Sequence, residues 1–153
     1  MTDDGLMPLI IAVYVSPIIH EFGHFAIAQF FHLPVIGVQC GRPFWYLSFA
    51  RGGIRFQFGL NPFGGQVRFF MWNGGKPREP WKYIAVFFAG PLAEVAIFII
   101  LWPHTQLCII FFASAIFNLV PDGKGNDGAE IKSLLTSGRM TMANTEKRIR
   151  PKS

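Results

Sequence analysis

Apolar residues fall along this chain in three long runs, separated by two stretches of different texture. The first run covers residues 6–32; it carries no charge from Leu6 to Ile19 and only Gln29 as a polar residue between Phe25 and Phe31. The second covers residues 81–102 and the third residues 104–120. At about 1.5 Å of rise per helical residue, the third reaches roughly 25 Å against a hydrocarbon core of about 30 Å, and the first two are long enough to cross. Between the first and second runs the period changes. Residues 44–49 and 54–58 flank Arg51-Gly52-Gly53, and the second of these segments alternates apolar with polar. That is the signature of a hairpin with a short Gly-rich turn. A second turn is expected over residues 61–65 and a third strand over residues 66–72. Beyond the third run the chain passes through the polar loop 122–128, a short helix expected over residues 129–136, and a basic tail. The pattern predicts an α-helical membrane protein with about three transmembrane helices and a membrane-associated β-hairpin or meander between helices 1 and 2. Residues 1–138 read as a single membrane-embedded core and residues 139–153 as a flexible tail.

Composition agrees with the pattern: 51% of the 153 residues are hydrophobic, 15% are charged, and 17 are Phe. The placement of charge says more than its sum of +5. Seven Lys/Arg fall between Leu33 and Lys82, seven more follow Val120, and the N-terminal Asp3 and Asp4 have no basic neighbour. Basic loops stay on the cytoplasmic side, so a multi-pass protein is expected with its N-terminus outside and its C-terminal tail in the cytoplasm. This placement accounts for the basic residues without a nucleic-acid partner. Cys40 and Cys108 are too few for a disulfide framework or a thiolate metal site. The first run has neither a basic leader nor a small-residue cleavage site, and it reads as a retained span rather than a removable signal.

Chemistry enters inside the first run, at His20-Glu21-Phe22-Gly23-His24. Positions four apart on a helix share a face, so both imidazoles can reach one Zn²⁺, with Glu21 beside it as a proton acceptor. Ionisable groups in a span are costly, and their ordinary reading is functional. Pro17 is expected to bend the helix just before His20. Two histidines do not close a metal site, so a third ligand must come from elsewhere. Asp127 and Asp122, on the loop after the third run, arrive at the depth of the pair, whereas His104 and His32 match by residue type only. Asp127-Gly128-Ala129-Glu130 also has the spacing of a helix capping box. Glu94, in the second span, can support a ligating histidine, contact substrate or water, or simply bond a neighbour.

The chain resembles the site-2 protease family of intramembrane zinc metalloproteases. The matching pieces, in family order, are residues 20–24, Gly64-Gly65-Gln66-Val67, Ala89-Gly90-Pro91-Leu92-Ala93, and Asn118-Leu119-Val120-Pro121 followed by Asp127-Gly128. The resemblance implies that His20, His24 and Asp127 hold zinc and that Glu21 is the catalytic base. It also implies that the strand region meets a transmembrane protein substrate within the lipid bilayer. The chain departs from the common family pattern in having Glu94 where Asn is usual, and one residue more between Asn118 and Asp127. Asp122 is the alternative ligand, and Asn118 is a candidate to bond substrate or brace the loop. Two other classes compete: a catalytically silent relative that binds zinc or a partner helix, and a transport component that uses the buried His and Glu as an ion path. Loss of activity in a Glu21→Gln variant separates the enzyme from the first, and bound zinc separates it from the second.

Overall fold

The computed structural model describes residues 6–70, 76–102, 108–121 and 125–140. Its elements are α1 (Leu6–Phe30), β1 (Val35–Arg51), β2 (Ile54–Phe69), α2 (Pro80–Leu101), α3 (Ile109–Leu119) and α4 (Asp127–Ser137). Helices α1 and α2 are long and apolar enough to cross a membrane. In the described residues α3 has 11 residues, about 16 Å of helix, which is short of a full crossing. The expected start of that run, at His104, lies outside the described residues, as do the tail 141–153 and Asp122.

Burial is inverted relative to a water-soluble bundle. Ile11, Ile18, Phe22, Leu92, Ile99, Ile100, Ile116 and Phe117 are exposed, whereas Ser16, His20, Glu21, His24, Glu94 and Glu130 are buried. Apolar residues outside and polar ones inside suit helices with lipid around them and a polar centre between them.

Helix α1 packs on α2, and small residues allow the close approach. A Cβ at Gly23 would stand 2.6 Å from the Ala89 carbonyl oxygen and 2.9 Å from the Ala93 Cβ. Pro17 sits inside α1, which continues through it without a break in the helix. The helix ends where His32 turns to φ 52, with Leu33 N donating to Ala28 O at 2.9 Å.

The strands form one antiparallel sheet whose tip is the expected Gly52-Gly53 turn. From Arg51↔Ile54 to Tyr46↔Gly59 the ladder is regular. Beyond that the chain turns back on itself, as the sequence pattern predicts. The chain reverses over the expected turn at 61–65, where Asn61 Oδ1 accepts from Phe63 N at 3.0 Å, and the expected third strand, the last part of β2, pairs with the start of β1 from Cys40↔Gly65 to Val35↔Phe69. Residues 37–40 also stand opposite residues 55–58, with both numbers rising together. The start of β1 is therefore flanked on two sides by β2. The doubling back needs positive-φ backbone, supplied by Gly41 (φ 83) and Gly64 (φ 82), where a side chain would be strained.

An apolar core holds these pieces together: Ala28 of α1, Val35, Val38, Cys40 and Phe69 of the sheet, Tyr83, Val86 and Phe87 of α2, and Ile131 and Leu134 of α4, closed by Met140. It anchors α4 and the sheet to the α1–α2 pair on the His24 side of the polar centre. Helix α4 begins two residues earlier than the sequence pattern predicts, and its N-cap is Asn126.

Candidate metal centre

Helical spacing places the His20 and His24 rings together, with centroids 4.6 Å apart and Nε2 atoms 3.0 Å apart. The start of α4 brings in Asp127, whose Oδ2 lies 2.9 Å from His20 Nε2 and whose Oδ1 lies 3.3 Å from His24 Nε2. Among the described residues, these three are the His/Cys/Asp/Glu group that could hold a metal ion, with ligand atoms all within 4.8 Å of one another.

Asp127 is free for this because it is not the cap. The Asn126 side-chain oxygen accepts from Ala129 N at 3.0 Å, and its amide donates to Val120 O at 2.6 Å and Phe117 O at 3.1 Å. One side chain thus satisfies an open donor of α4 and two open carbonyls at the end of α3. That strap fixes how α4 leaves α3, and so where Asp127 stands. Sequence reading weighed a capping role for Asp127 against the ligand role and did not name Asn126.

Partners on the other ring nitrogens decide which atoms face inward. His24 Nδ1 lies 2.6 Å from Val86 O, so it must carry the proton and donate. The Gly90 N–H, at 3.3 Å from the same nitrogen, is then a contact rather than a bond. His20 Nδ1 lies 2.9 Å from Glu94 Oε2 and donates there, while Ser16 Oγ donates to Glu94 Oε1 at 2.6 Å. Both Nε2 atoms therefore present bare lone pairs to each other and to a carboxylate. The Asp127 carboxylate adds a third acceptor, with one oxygen 2.9 Å from His20 Nε2 and the other 3.3 Å from His24 Nε2. Three acceptors aimed at one point repel unless a cation lies between them. The donor set fits such an ion, because tetrahedral bonds of about 2.0 Å separate neighbouring ligand atoms by roughly 3.3 Å.

Glycines make room around these side chains. A Cβ at Gly90 would stand 2.5 Å from His24 Nε2 and 2.9 Å from His20 Nε2. A Cβ at Gly65 would run into Glu21 Oε1. Glu21 is buried, and its Oε2 has no hydrogen-bond partner. It lines a cavity of about 570 Å³ together with His20, His24 and Asp127. Gly64, Gly65, Gln66 and Val67 of β2 form part of the wall, and Asn118 and Asn126 stand at the α3–α4 side. The Asn118 amide donates to Ser114 O at 3.1 Å. Cys40 stays out of the metal question: burial first, and then the Glu21 charge, push its thiol up to about 12, so it remains protonated.

The structure thus brings together His20, Glu21, His24, Glu94 and Asp127, with Asn118 on the same cavity. Asp122 lies outside the described residues. Ser16, Asn126 and the Val86 carbonyl were not singled out by sequence reading. Ser16 and Val86 act through contacts far along the chain and have no local signature, whereas Asn126 caps through Ala129, three residues on.

A helical membrane scaffold with a buried His-His-Asp cluster and a neighbouring free carboxylate defines a metallopeptidase-like site. Residues 8–120 match the family model described as peptidase family M50, and the chain belongs to that family. Among similar proteins are one from Neisseria meningitidis, 29% identical over 110 residues (63% of this chain, 24% of the relative), and one from Chlamydia pneumoniae, 29% identical over 104 residues (56% and 17%). Both are named "putative zinc metalloprotease". The chain spans a quarter or less of the length of these curated relatives. The family match stops at residue 120, so the place of Asp127 rests on the geometry above.

Proposed function

We propose that the chain is a zinc-dependent endopeptidase that cuts a membrane-protein substrate in or near a transmembrane segment. The observation that carries this reading is the convergence of three acceptor atoms, His20 Nε2, His24 Nε2 and an Asp127 oxygen, beside the unpartnered Glu21 Oε2 in one cavity. The same elements support a multi-pass arrangement, with α1, α2 and the run containing α3 in the bilayer, the N-terminus outside and the tail in the cytoplasm. In this reading residues 1–138 act as one core.

His20, His24 and Asp127 would hold the zinc. Bound there, it supplies Lewis-acid polarisation of the scissile carbonyl and activation of water near neutral pH. Glu21 takes the proton of the attacking water on its free oxygen and passes it to the leaving amine. Gly65 backs the other oxygen closely, so the carboxylate keeps one orientation. A helical substrate hides its amides in internal bonds and must be extended before it can react. Residues 64–67 offer it a strand along the cavity wall. Across the cavity, the Asn118 amide is engaged with Ser114, which leaves its side-chain oxygen to receive a substrate N–H.

The test uses purified wild-type and Glu21→Gln protein with a fluorescent transmembrane-peptide substrate. Cleavage by wild type, abolished by chelation, restored by zinc and reduced about 100- to 10,000-fold in Glu21→Gln, is the expected result, because loss of a positioned base removes roughly this much rate. Equal cleavage by both forms removes Glu21 from the mechanism. Bound zinc without cleavage in either form points to a catalytically silent relative.

A further inference from the structure

Glu94 and Ser16 take no part in the steps above, yet both are buried among apolar helices and bonded to each other and to His20. We infer that Glu94 is a positioning residue for the metal centre: held by Ser16, its carboxylate receives the Nδ1 proton of His20 and turns the Nε2 lone pair onto the point shared by His24 and Asp127. This inference rests on the metal-binding reading of that site.

A neutral imidazole carries a single N–H. Fixing it at Nδ1 leaves Nε2 bare, and leaving it free lets the other tautomer present a proton where a ligand atom is needed. His24 meets the same requirement through the Val86 carbonyl, 2.6 Å away, so both rings are oriented from behind and both present Nε2. His20 is treated differently, because its partner is a carboxyl group. A carboxylate behind a ligating imidazole makes the facing nitrogen a stronger donor and holds the ring plane. It also places a second negative group within one residue of a proposed dication, in a region with little solvent to screen charge. Ser16 completes the unit, because its hydroxyl occupies Glu94 Oε1 and leaves Oε2 for the ring. Glu94 is wholly buried, away from bulk water.

The experiment compares wild type, Glu94→Gln and Ser16→Ala, purified whole in detergent and stripped of metal. Zinc affinity is read by chelator competition, the melting temperature of the metal-free protein is measured in parallel, and the His20 tautomer is read from side-chain ¹⁵N shifts. The amide in Glu94→Gln keeps the shape and removes the charge. We expect about a 10- to 100-fold loss of zinc affinity, an unchanged metal-free melting temperature, and a shift of His20 away from its Nδ1–H form. Ser16→Ala should move affinity the same way by a smaller factor. Wild-type affinity in Glu94→Gln overturns the inference, as does a loss that merely follows a lowered metal-free melting temperature or an unmoved His20 tautomer. If wild type itself holds no zinc, the metal reading fails first. If wild type binds zinc and Glu94→Gln binds it equally well, only the role of Glu94 falls.

Discussion

Two glycines give the sharpest residue-scale expectations, because each borders a different part of the chemistry. Gly90→Ala would drive a methyl into both imidazoles. Zinc content should fall with it, measurable as metal per chain after purification. Gly65→Ala would press on the Glu21 carboxylate and leave the histidines alone. It should therefore keep its zinc and lose turnover. If Gly65→Ala instead lost metal while cleaving at the wild-type rate per bound zinc, the assignment of these two walls would be wrong. The His20–Glu21–His24 face was legible from spacing alone, since helical periodicity determines which side chains share a face. The partners behind it were not. Ser16 and Glu94 lie 78 positions apart, and His24 and Val86 lie 62 apart. No local pattern records such meetings.

At the scale of elements, Asn126 is where three pieces join. It caps α4, ties off α3 and so sets the approach of Asp127. Asn126→Ala should cost about 1 kcal/mol for the lost cap, and more for the stranded α3 carbonyls. It should lower the melting temperature and weaken zinc binding together. An unchanged melting temperature would mean the strap contributes nothing. The sequence offered two acids and two asparagines around this bend, and composition could not say which would cap and which would project. Only the start of α4, two residues earlier than the apolar pattern suggested, makes Asn126 the cap and releases Asp127. The hairpin had a similar limit. Its Gly52-Gly53 tip was readable from turn chemistry, but the return of β2 along the start of β1 depends on long-range pairing. The turn at residues 61–65 was readable locally as well, whereas the partner of the strand that follows it was not.

For the whole molecule, the lengths of the apolar runs pointed to a membrane protein and to two helices, α1 and α2, long and apolar enough to cross a bilayer. The third run is described as helix over Ile109–Leu119, and its expected start at His104 lies outside the described residues. Orientation can be tested by side-selective thiol labelling of Thr2→Cys and Ser153→Cys proteins in sealed vesicles. Cys40 and Cys108 are both buried, so their background should be low. The proposed topology predicts labelling of the two new thiols from opposite faces; labelling of both from one face would contradict it. The account as a whole depends on α4 delivering an acid to a histidine pair in the first helix. Metal analysis of purified wild-type and Asp127→Asn protein tests this most directly. One tightly held zinc per chain in wild type, and a large loss of that zinc in the variant at unchanged helix content, is the predicted result. A variant that retains its zinc with wild-type affinity would contradict it.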